Sequence, residues 1–187
     1  MNKFNAKKAV QAAAKLLSFE HNSTMSRLRL LKLLYIAERK CLKQTGQLLI
    51  GDSAVAMDCG PLHSTVYSMI KGESIHDAQW SRYIRQVGPR DVHLHHPAGN
   101  SELSKFEVNL LQIVSETHVP FDDFDLVEIT HHFDEYKKAN AVRSPKSSKR
   151  IPLEDIIDGV CRSDDKDEIV QDLVDTNAFE EFFGAIR

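Results

Sequence analysis

The stretch from Ser26 to Gly46 constrains the fold more than any other part of the chain. Ser26 can accept amide hydrogen bonds at the start of a helix, and Gly46 can adopt the left-handed conformation that ends one. Between them, leucines and other apolar residues cover most of the helical circumference. Because a helix that is apolar nearly all round must be buried, the sequence predicts one central helix with other elements packed around it.

A single polar stripe remains on this predicted central helix. It is interrupted by Ile36 and is formed by Arg29, Lys32, Arg39, Lys40 and Lys43. Three interpretations stay open: a solvated helix face, a surface that follows a nucleic-acid backbone, and a contact for an acidic partner or for the acidic end of this chain. The stripe has no recognition-helix context and few interleaved aromatic residues, so nucleic acid is possible but not favoured.

Composition and charge narrow the class of protein. The 187 residues are 42% hydrophobic and 27% charged, as in ordinary globular domains. Residues 1–90 contain 14 Lys/Arg and 6 Asp/Glu, whereas residues 91–187 contain 10 and 21, so a net charge of −3 hides a basic first half and an acidic second half. No apolar run approaches a membrane span and the first residues do not resemble a signal peptide, so we expect a cytoplasmic protein with no membrane partner.

Local patterns place further elements on both sides of the central helix. We expect a helix from Ala6 to about Glu20 capped by Asn5, and a short strand at 54–57. Pro61 is predicted in the first turn of a helix that runs to Lys71 and is closed by Gly72. Alternating residues at 83–87 and 92–95, which flank Gly-Pro-Arg-Asp, predict a small β-hairpin.

The second half is predicted to continue as helices. Ser104 and Glu107 form a capping box for a helix that buries Phe106, Leu110, Ile113 and Val114, and a longer helix is predicted from about Asp123 to Ala139. Residues 144–150 are predicted as a mobile connector. Beyond it we expect an acidic helical extension with apolar contacts from Ile169, Leu173, Phe179, Phe182 and Phe183.

These elements give a fold class and a domain division. We predict a mainly α protein: a compact helical domain with a small β-hairpin or sheet element, followed by a helical acidic C-terminal extension. The main domain is expected to span residues 1–143, and the connector with the extension residues 144–187. From residue 154 onward the chain contains 11 acidic and 3 basic residues.

Three blocks of sequence together carry a resemblance to a known family. They are residues 30–38 (Leu-Leu-Lys-Leu-Leu-Tyr-Ile-Ala-Glu), residues 51–67 with Gly51-Asp52, Val55-Ala56-Met57, Gly60-Pro61 and Tyr67, and residues 126–131 (Leu-Val-Glu-Ile-Thr-His). In order and spacing they resemble the SocA-like, or Panacea, antitoxin domain, which is also found in phage-associated GepA-type proteins. The similarity runs from about Asn5 to Asn140.

The resemblance implies an α-helical antitoxin of a type II toxin–antitoxin module that neutralises a toxin protein by direct binding. One protein that it resembles acts as an adaptor that delivers its toxin to an ATP-dependent protease. No catalytic residue and no cofactor is carried over. The chain departs from the family pattern at Asp58-Cys59, where relatives more often have an aromatic residue, and in its acidic tail.

Toxin contact is predicted on the face around residues 52–67, which mixes Met and Tyr with few charges. The predicted contact residues are Asp52, Met57, Leu62, His63 and Tyr67. An autoregulator that binds the DNA of its own operon is the first alternative, and an enzyme of unknown reaction is the second.

Reactive groups give the enzyme alternative little support. The chain has no phosphate loop, nucleophile elbow or zinc-protease motif. Asp52 is expected to accept hydrogen bonds from its own turn, Cys41 to be an inert buried thiol, and His131 to bond the backbone or a tyrosine. Cys59 would need a histidine base beside it to react. A metal site formed by His93, His95 and His96 with the pair His131-His132 is conceivable, but a polar hairpin face explains the first three better.

Overall fold

The computed structural model describes residues 4–161 and Gln171. Within 4–161 the chain forms eight α-helices and two three-stranded antiparallel sheets, so the predicted mainly α class with a minor β element is confirmed. The helices are α1 (Ala6–Ser18), α2 (Arg27–Thr45), α3 (Ser64–Lys71), α4 (Asp77–Ser81), α5 (Lys105–Thr117), α6 (Asp123–His131), α7 (Asp134–Ala141) and α8 (Leu153–Val160). The strands are β1 (Thr24–Ser26), β2 (Ala54–Met57), β3 (Gly60–His63), β4 (Ile84–Val87), β5 (Asp91–Leu94) and β6 (Lys149–Ile151).

Helix α2 is the predicted central helix. The Ser26 hydroxyl accepts a hydrogen bond from the Arg29 amide at 2.9 Å, and Gly46 ends the helix with a φ of 70°. Helices α1, α5, α6 and α8 and strand β3 all contact α2. Both predicted ends and the predicted burial are therefore confirmed.

The first sheet has the strand order β1-β5-β4. Strands β4 and β5 form the hairpin predicted around Gly88-Pro89, with Val87 opposite Asp91. Strand β1 leads directly into α2 and pairs with β5, placing Met25 opposite Val92. This sheet thereby fixes the start of the central helix.

The second sheet has the strand order β3-β2-β6. It places Pro61 in a strand, which differs from the prediction made from the sequence. Pro61 was expected in the first turn of a helix, but it lies in strand β3 opposite Ala56, and helix α3 begins only at Ser64. Gly60 has a φ of 93°, which lets the chain reverse after Asp58-Cys59. Because β3 is an edge strand, the missing amide of Pro61 is tolerated. Helix α3 does end at Lys71 with a left-handed Gly72, as predicted.

The helix predicted from about 123 to 139 is two helices. Phe133 adopts an extended conformation between α6 and α7, with φ −68° and ψ 132°. This break redirects the chain, so that α7 packs against β2, β6 and α8. The Tyr136 hydroxyl donates to the Met57 carbonyl at 3.1 Å and fixes that direction.

Helix α5 has the predicted capping box, in which Ser104 and Glu107 each accept from the other's amide. The predicted buried face is only partly correct. Leu110 and Val114 are buried, but Phe106 is 41% and Ile113 is 44% exposed.

The expected connector contains a strand. Strand β6 pairs with β2, with Ile151 opposite Ala54, and α8 then packs on α2 and α7. Main-chain pairing to β2 therefore orders residues that the sequence assigned to a mobile segment. The boundary between residues 143 and 144 stays a prediction. The apolar residues expected in the extension, from Ile169 to Phe183, lie outside the described residues.

Candidate functional site

The three sequence blocks of the predicted family meet at the amine of Lys32. This side chain is fully buried, and its Nζ donates to the Pro61 carbonyl at 2.8 Å. A β-carbon built on Gly60 would lie 2.8 Å from this Nζ, 2.8 Å from Thr130 Oγ1 and 3.1 Å from the His131 ring. Burial lowers the pKa of Lys32 to about 7, against a smaller opposite effect of Cys59. The amine thus joins α2, the β2–β3 hairpin and α6.

His131 lies beside this junction. Its ring stacks on Tyr136 at 4.6 Å between centroids, and it hydrogen-bonds the backbone of Asp58, as the sequence analysis expected of this residue. Burial lowers the pKa of His131, and the nearby amine of Lys32 lowers it further. Asp58, which departs from the family pattern, is exposed and accepts a hydrogen bond from Arg143 at 2.5 Å.

Glu38 attaches the loop after α2 to the helix. Its carboxylate is buried and accepts from the amides of Ile50 at 2.9 Å and Gly51 at 3.2 Å. Burial raises the pKa of Glu38, while His63 and these amides oppose that rise. The carboxylate therefore has a structural role in holding this loop against α2.

The Asp52 carboxylate caps helix α3 and does not accept hydrogen bonds from its own turn. One carboxylate oxygen accepts from the Thr65 amide at 2.8 Å and the Val66 amide at 3.0 Å, in the first turn of α3. His63, at the N-cap position of α3, provides no side-chain bond to these amides. The structural role predicted for Asp52 is thus present, but its hydrogen bonds reach 13 and 14 residues along the chain.

A narrow cavity of about 60 Å³ lies beside these groups, and Glu38, Asp52, His63 and Arg150 are among its lining residues. Both ring nitrogens of His63 and the second oxygen of Asp52 have no protein hydrogen-bond partner in the described part of the chain. The cavity has room for about two water molecules, which such groups commonly bind. Tyr67 and His131 are not among its lining residues.

The predicted toxin-contact residues fall into two groups that differ in burial. Leu62 is 6% and His63 is 1% exposed, so neither can contact a partner while the fold is intact. Asp52, Met57 and Tyr67 are half-buried. Leu62 and His63 lie on strand β3, which packs against the core. The toxin-contact surface itself stays a prediction, and the half-buried residues are its more accessible members.

The basic stripe is not a continuous surface. Lys32 is buried, and Arg39 pairs with the buried Glu135. Arg29 donates to the carbonyls of Phe121 at 2.7 Å and His118 at 3.0 Å, and it also pairs with Glu20 at 3.2 Å.

Two stripe members remain accessible, Lys40 and Lys43. They lie along a groove of about 190 Å³ with Phe133 and Val160. The helix therefore uses most of its predicted stripe for internal contacts.

Sequence reasoning missed a buried ionic cluster between α2 and α7. Glu135 is fully buried, pairs with Arg39 and accepts from the Tyr35 hydroxyl at 3.1 Å. Arg39 also donates to the Gly159 carbonyl at 3.3 Å and lies 3.8 Å from the Phe133 ring centroid. These residues are about 100 positions apart, and no local pattern indicates that they meet.

The other reactive groups are dispersed. His93 contacts the Thr24 hydroxyl at 2.9 Å, and His95 lies 3.1 Å from the Ser81 carbonyl. In the described part of the chain, no three His, Cys, Asp or Glu residues are placed to hold a metal ion. Cys41 is buried, and burial raises its pKa to about 11, as expected of an inert thiol; Cys59 is exposed and unpaired.

The fold and the site together define a mainly α-helical domain. Its buried polar side chains form hydrogen bonds and ion pairs between the helices, strands and loops. The model of the antitoxin SocA-like, Panacea domain matches residues 30–137, more than half of the chain. The chain therefore belongs to the SocA-like Panacea antitoxin family, as its three sequence blocks indicated. No curated protein and no solved structure matches the chain.

The family match covers the residues that meet at Lys32. It starts at the beginning of the first block and extends past the third, into α7. Family membership supports an antitoxin role in general and a protein as partner. None of the helices in the described residues is long and apolar enough to cross a membrane.

Proposed function

We propose that this protein is the antitoxin of a type II toxin–antitoxin module and neutralises a toxin protein by direct, stoichiometric binding. The observation that carries the proposal is the family match over residues 30–137. The partner is a toxin encoded beside this chain, and the activity needs no cofactor.

The contacts of the family-like residues support binding rather than turnover. Lys32 bonds a carbonyl, Asp52 caps a helix and Glu38 bonds two amides, so each has a structural partner. A reactive site needs polar groups that converge on a space open to substrate. Here each of these groups is bonded within the fold, and we propose that the protein has no turnover of its own.

Co-expression tests this function. The neighbouring reading frame is expressed alone and together with this chain, and growth is followed. We expect arrest by the neighbour alone and normal growth with both. With purified proteins, toxin activity should fall linearly and reach zero at a fixed molar ratio. The proposal would be contradicted if trace amounts of this chain inactivated the toxin and mass spectrometry showed that the toxin had been covalently altered.

Neutralisation by an adaptor route is part of the same proposal and has a separate readout. If this chain delivers its toxin to an ATP-dependent protease, the half-life of the toxin in cells should shorten when both proteins are present. Deleting the protease should restore the toxin level. A bound toxin of unchanged half-life would leave binding alone as the mechanism of neutralisation.

DNA binding is the alternative, and the geometry does not favour it. A phosphate-binding face needs several exposed cations in a row, because each phosphate contact contributes separately to affinity. On α2 the stripe is broken by the buried Lys32 and by the internal contacts of Arg29 and Arg39. We therefore propose a protein partner in place of DNA. A gel-shift assay with the upstream operon DNA tests whether the protein binds DNA.

A further inference from the structure

The connection between α5 and α6 exposes a group of large apolar side chains. Phe124 is 77%, Val119 68%, Ile113 44% and Phe121 38% exposed. All four lie within twelve residues, at the end of α5, in the loop and in the first turn of α6. Contiguous exposed apolar residues commonly mark interaction sites. We call residues 112–128 the apolar corner.

The apolar corner is held in place by the central helix. Arg29 donates to the carbonyls of His118 and Phe121, at 3.0 Å and 2.7 Å. The Ser26 hydroxyl lies 2.5 Å from an Asp123 carboxylate oxygen. These contacts fix the loop to the start of α2. A surface fixed in this way loses little conformational freedom when a partner binds.

Acidic residues surround the exposed apolar side chains. The exposed acidic residues of the corner are Glu116, Asp122, Asp125 and Glu128. Residues 106–130 include no lysine and no arginine. Arg29, which reaches the corner from α2, pairs with Glu20, and its side chain is only 12% exposed. The corner's own residues thus form an apolar centre with a negative rim, while Lys40 of α2 is near enough for its charge to add to burial in lowering the pKa of His118.

This charge pattern indicates which kind of partner fits the apolar corner. Two copies of the chain meeting at this corner would bring their acidic rims together. The end of the chain is also unfavourable, since residues 162–187 contain eight acidic and three basic residues. A partner with apolar side chains flanked by Lys and Arg matches both the centre and the rim.

We propose that the apolar corner is the docking surface for a basic protein partner. The inference rests on the proposed antitoxin function, in which that partner is the toxin. Phe124 and Val119 enter apolar pockets of the partner, and the acidic rim attracts the cations around those pockets. This surface lies on α5 and α6 and shares no residue with the predicted face at residues 52–67.

Substitution of the exposed centre tests the proposal. Phe124→Ser and Val119→Ser remove apolar area that is already in water, so the fold should be unaffected. Ile75→Ser and Val142→Ser are matched controls, because these residues are 95% and 69% exposed at other places. The probe is the purified product of the neighbouring reading frame. We expect its Kd to rise roughly tenfold or more for Phe124→Ser and to stay unchanged for the controls.

The rim has its own readout. Glu128→Lys should lower the association rate at about 0.01 M salt, and the loss should disappear at about 1 M salt, where the Debye length is about 3 Å. Glu154→Lys, at an exposed glutamate of α8, is the matched control. An equal loss in both variants would show a general charge effect and would overturn the role of the corner.

The outcomes separate this proposal from the proposed function. If the wild-type protein does not bind the neighbouring product, the antitoxin function fails and the docking surface fails with it. If the wild type binds and neutralises while Phe124→Ser and Val119→Ser do so equally well, only the apolar corner is wrong. A wild-type dimer in light scattering that Phe124→Ser converts to a monomer would assign the corner to a second copy and overturn the proposal.

Discussion

The amine of Lys32 fills the space that a β-carbon on Gly60 would need. The distance from such an atom to Lys32 Nζ would be 2.8 Å, and Thr130 Oγ1 would be equally close. Lys32 comes from the first family-like block, Gly60 from the second and Thr130 from the third. The three blocks therefore belong to one junction, in which a buried amine donates a hydrogen bond to the carbonyl of Pro61, next to Gly60.

Gly60→Ala should destabilise the protein through this junction. The new methyl group meets two polar atoms, and the φ of 93° is strained for any residue with a β-carbon. Gly99→Ala is the matched control, because Gly99 has a φ of 69° but open space around it. We expect Gly60→Ala to lower the free energy of unfolding by roughly 1–3 kcal/mol more than the control, as measured in urea. Equal losses would mean that the junction tolerates the methyl group.

The buried amine also predicts a pH dependence. In the folded chain the pKa of Lys32 is about 7, below its ordinary value of 10.5, so the unfolded chain binds more protons between these values. Stability should therefore rise with pH, on the order of 2 kcal/mol from pH 7 to pH 9. From about pH 8 the Cys41 thiol begins to titrate in the unfolded chain, where its ordinary pKa is 9.0, and it opposes part of the trend, since its folded pKa is about 11.

Lys32→Met should abolish this slope, and Lys43→Met should retain it, because Lys43 is exposed. The measurement is urea unfolding at several pH values between 7 and 9. A wild-type slope that survives in Lys32→Met would assign the dependence to another group.

Local signals made much of the fold predictable. Ser26 and Gly46 bound α2, Ser104 with Glu107 starts α5, and Gly88-Pro89 marks the first hairpin, because caps and turns act within a few residues. The prediction for Pro61 was wrong because it also rested on local signals alone. A proline fits both the first turn of a helix and an edge strand, and only the pairing with Ala56 decides between them.

The site was less predictable because burial depends on long-range packing. The helical pattern put Lys32 on the polar stripe, yet the loop at Gly60 and helix α6 cover it. Phe106 and Ile113 fit an amphipathic pattern, yet they are 41% and 44% exposed. The contact of Arg39 with Glu135 joins residues that no sequence spacing relates.

Removing Glu135 should be strongly destabilising. Its fully buried carboxylate balances the Arg39 guanidinium and accepts the Tyr35 hydroxyl, so Glu135→Ala leaves a cation and a hydroxyl without their partner. The cost of breaking such a pair is roughly 3–5 kcal/mol. Asp134→Ala, at the exposed neighbour, should cost less than about 1 kcal/mol. Thermal and urea unfolding measure both, and similar losses in the two variants would argue against the buried pair.

Truncation tests the predicted boundary between residues 143 and 144. Strand β6 pairs with β2, and Ile151, Ile156 and Ile157 join a core cluster with Tyr35 and Tyr136. Each such side chain contributes about 1.5–3 kcal/mol when fully buried. We therefore expect the chain 1–143 to be less stable than the chain 1–161 by several kcal/mol, or to remain unfolded.

Circular dichroism and urea unfolding of the two truncated chains decide the point. The sheet hydrogen bonds of β2 would be lost on one side in 1–143, and the Arg39–Glu135 pair would lose the cover of α8 at Gly159. Cooperative unfolding of 1–143 at the urea midpoint of 1–161 would instead make residues 1–143 an independent domain. In that case β6 and α8 would be an appendage, and the contacts of α8 with α2 would not contribute to the stability of the antitoxin domain.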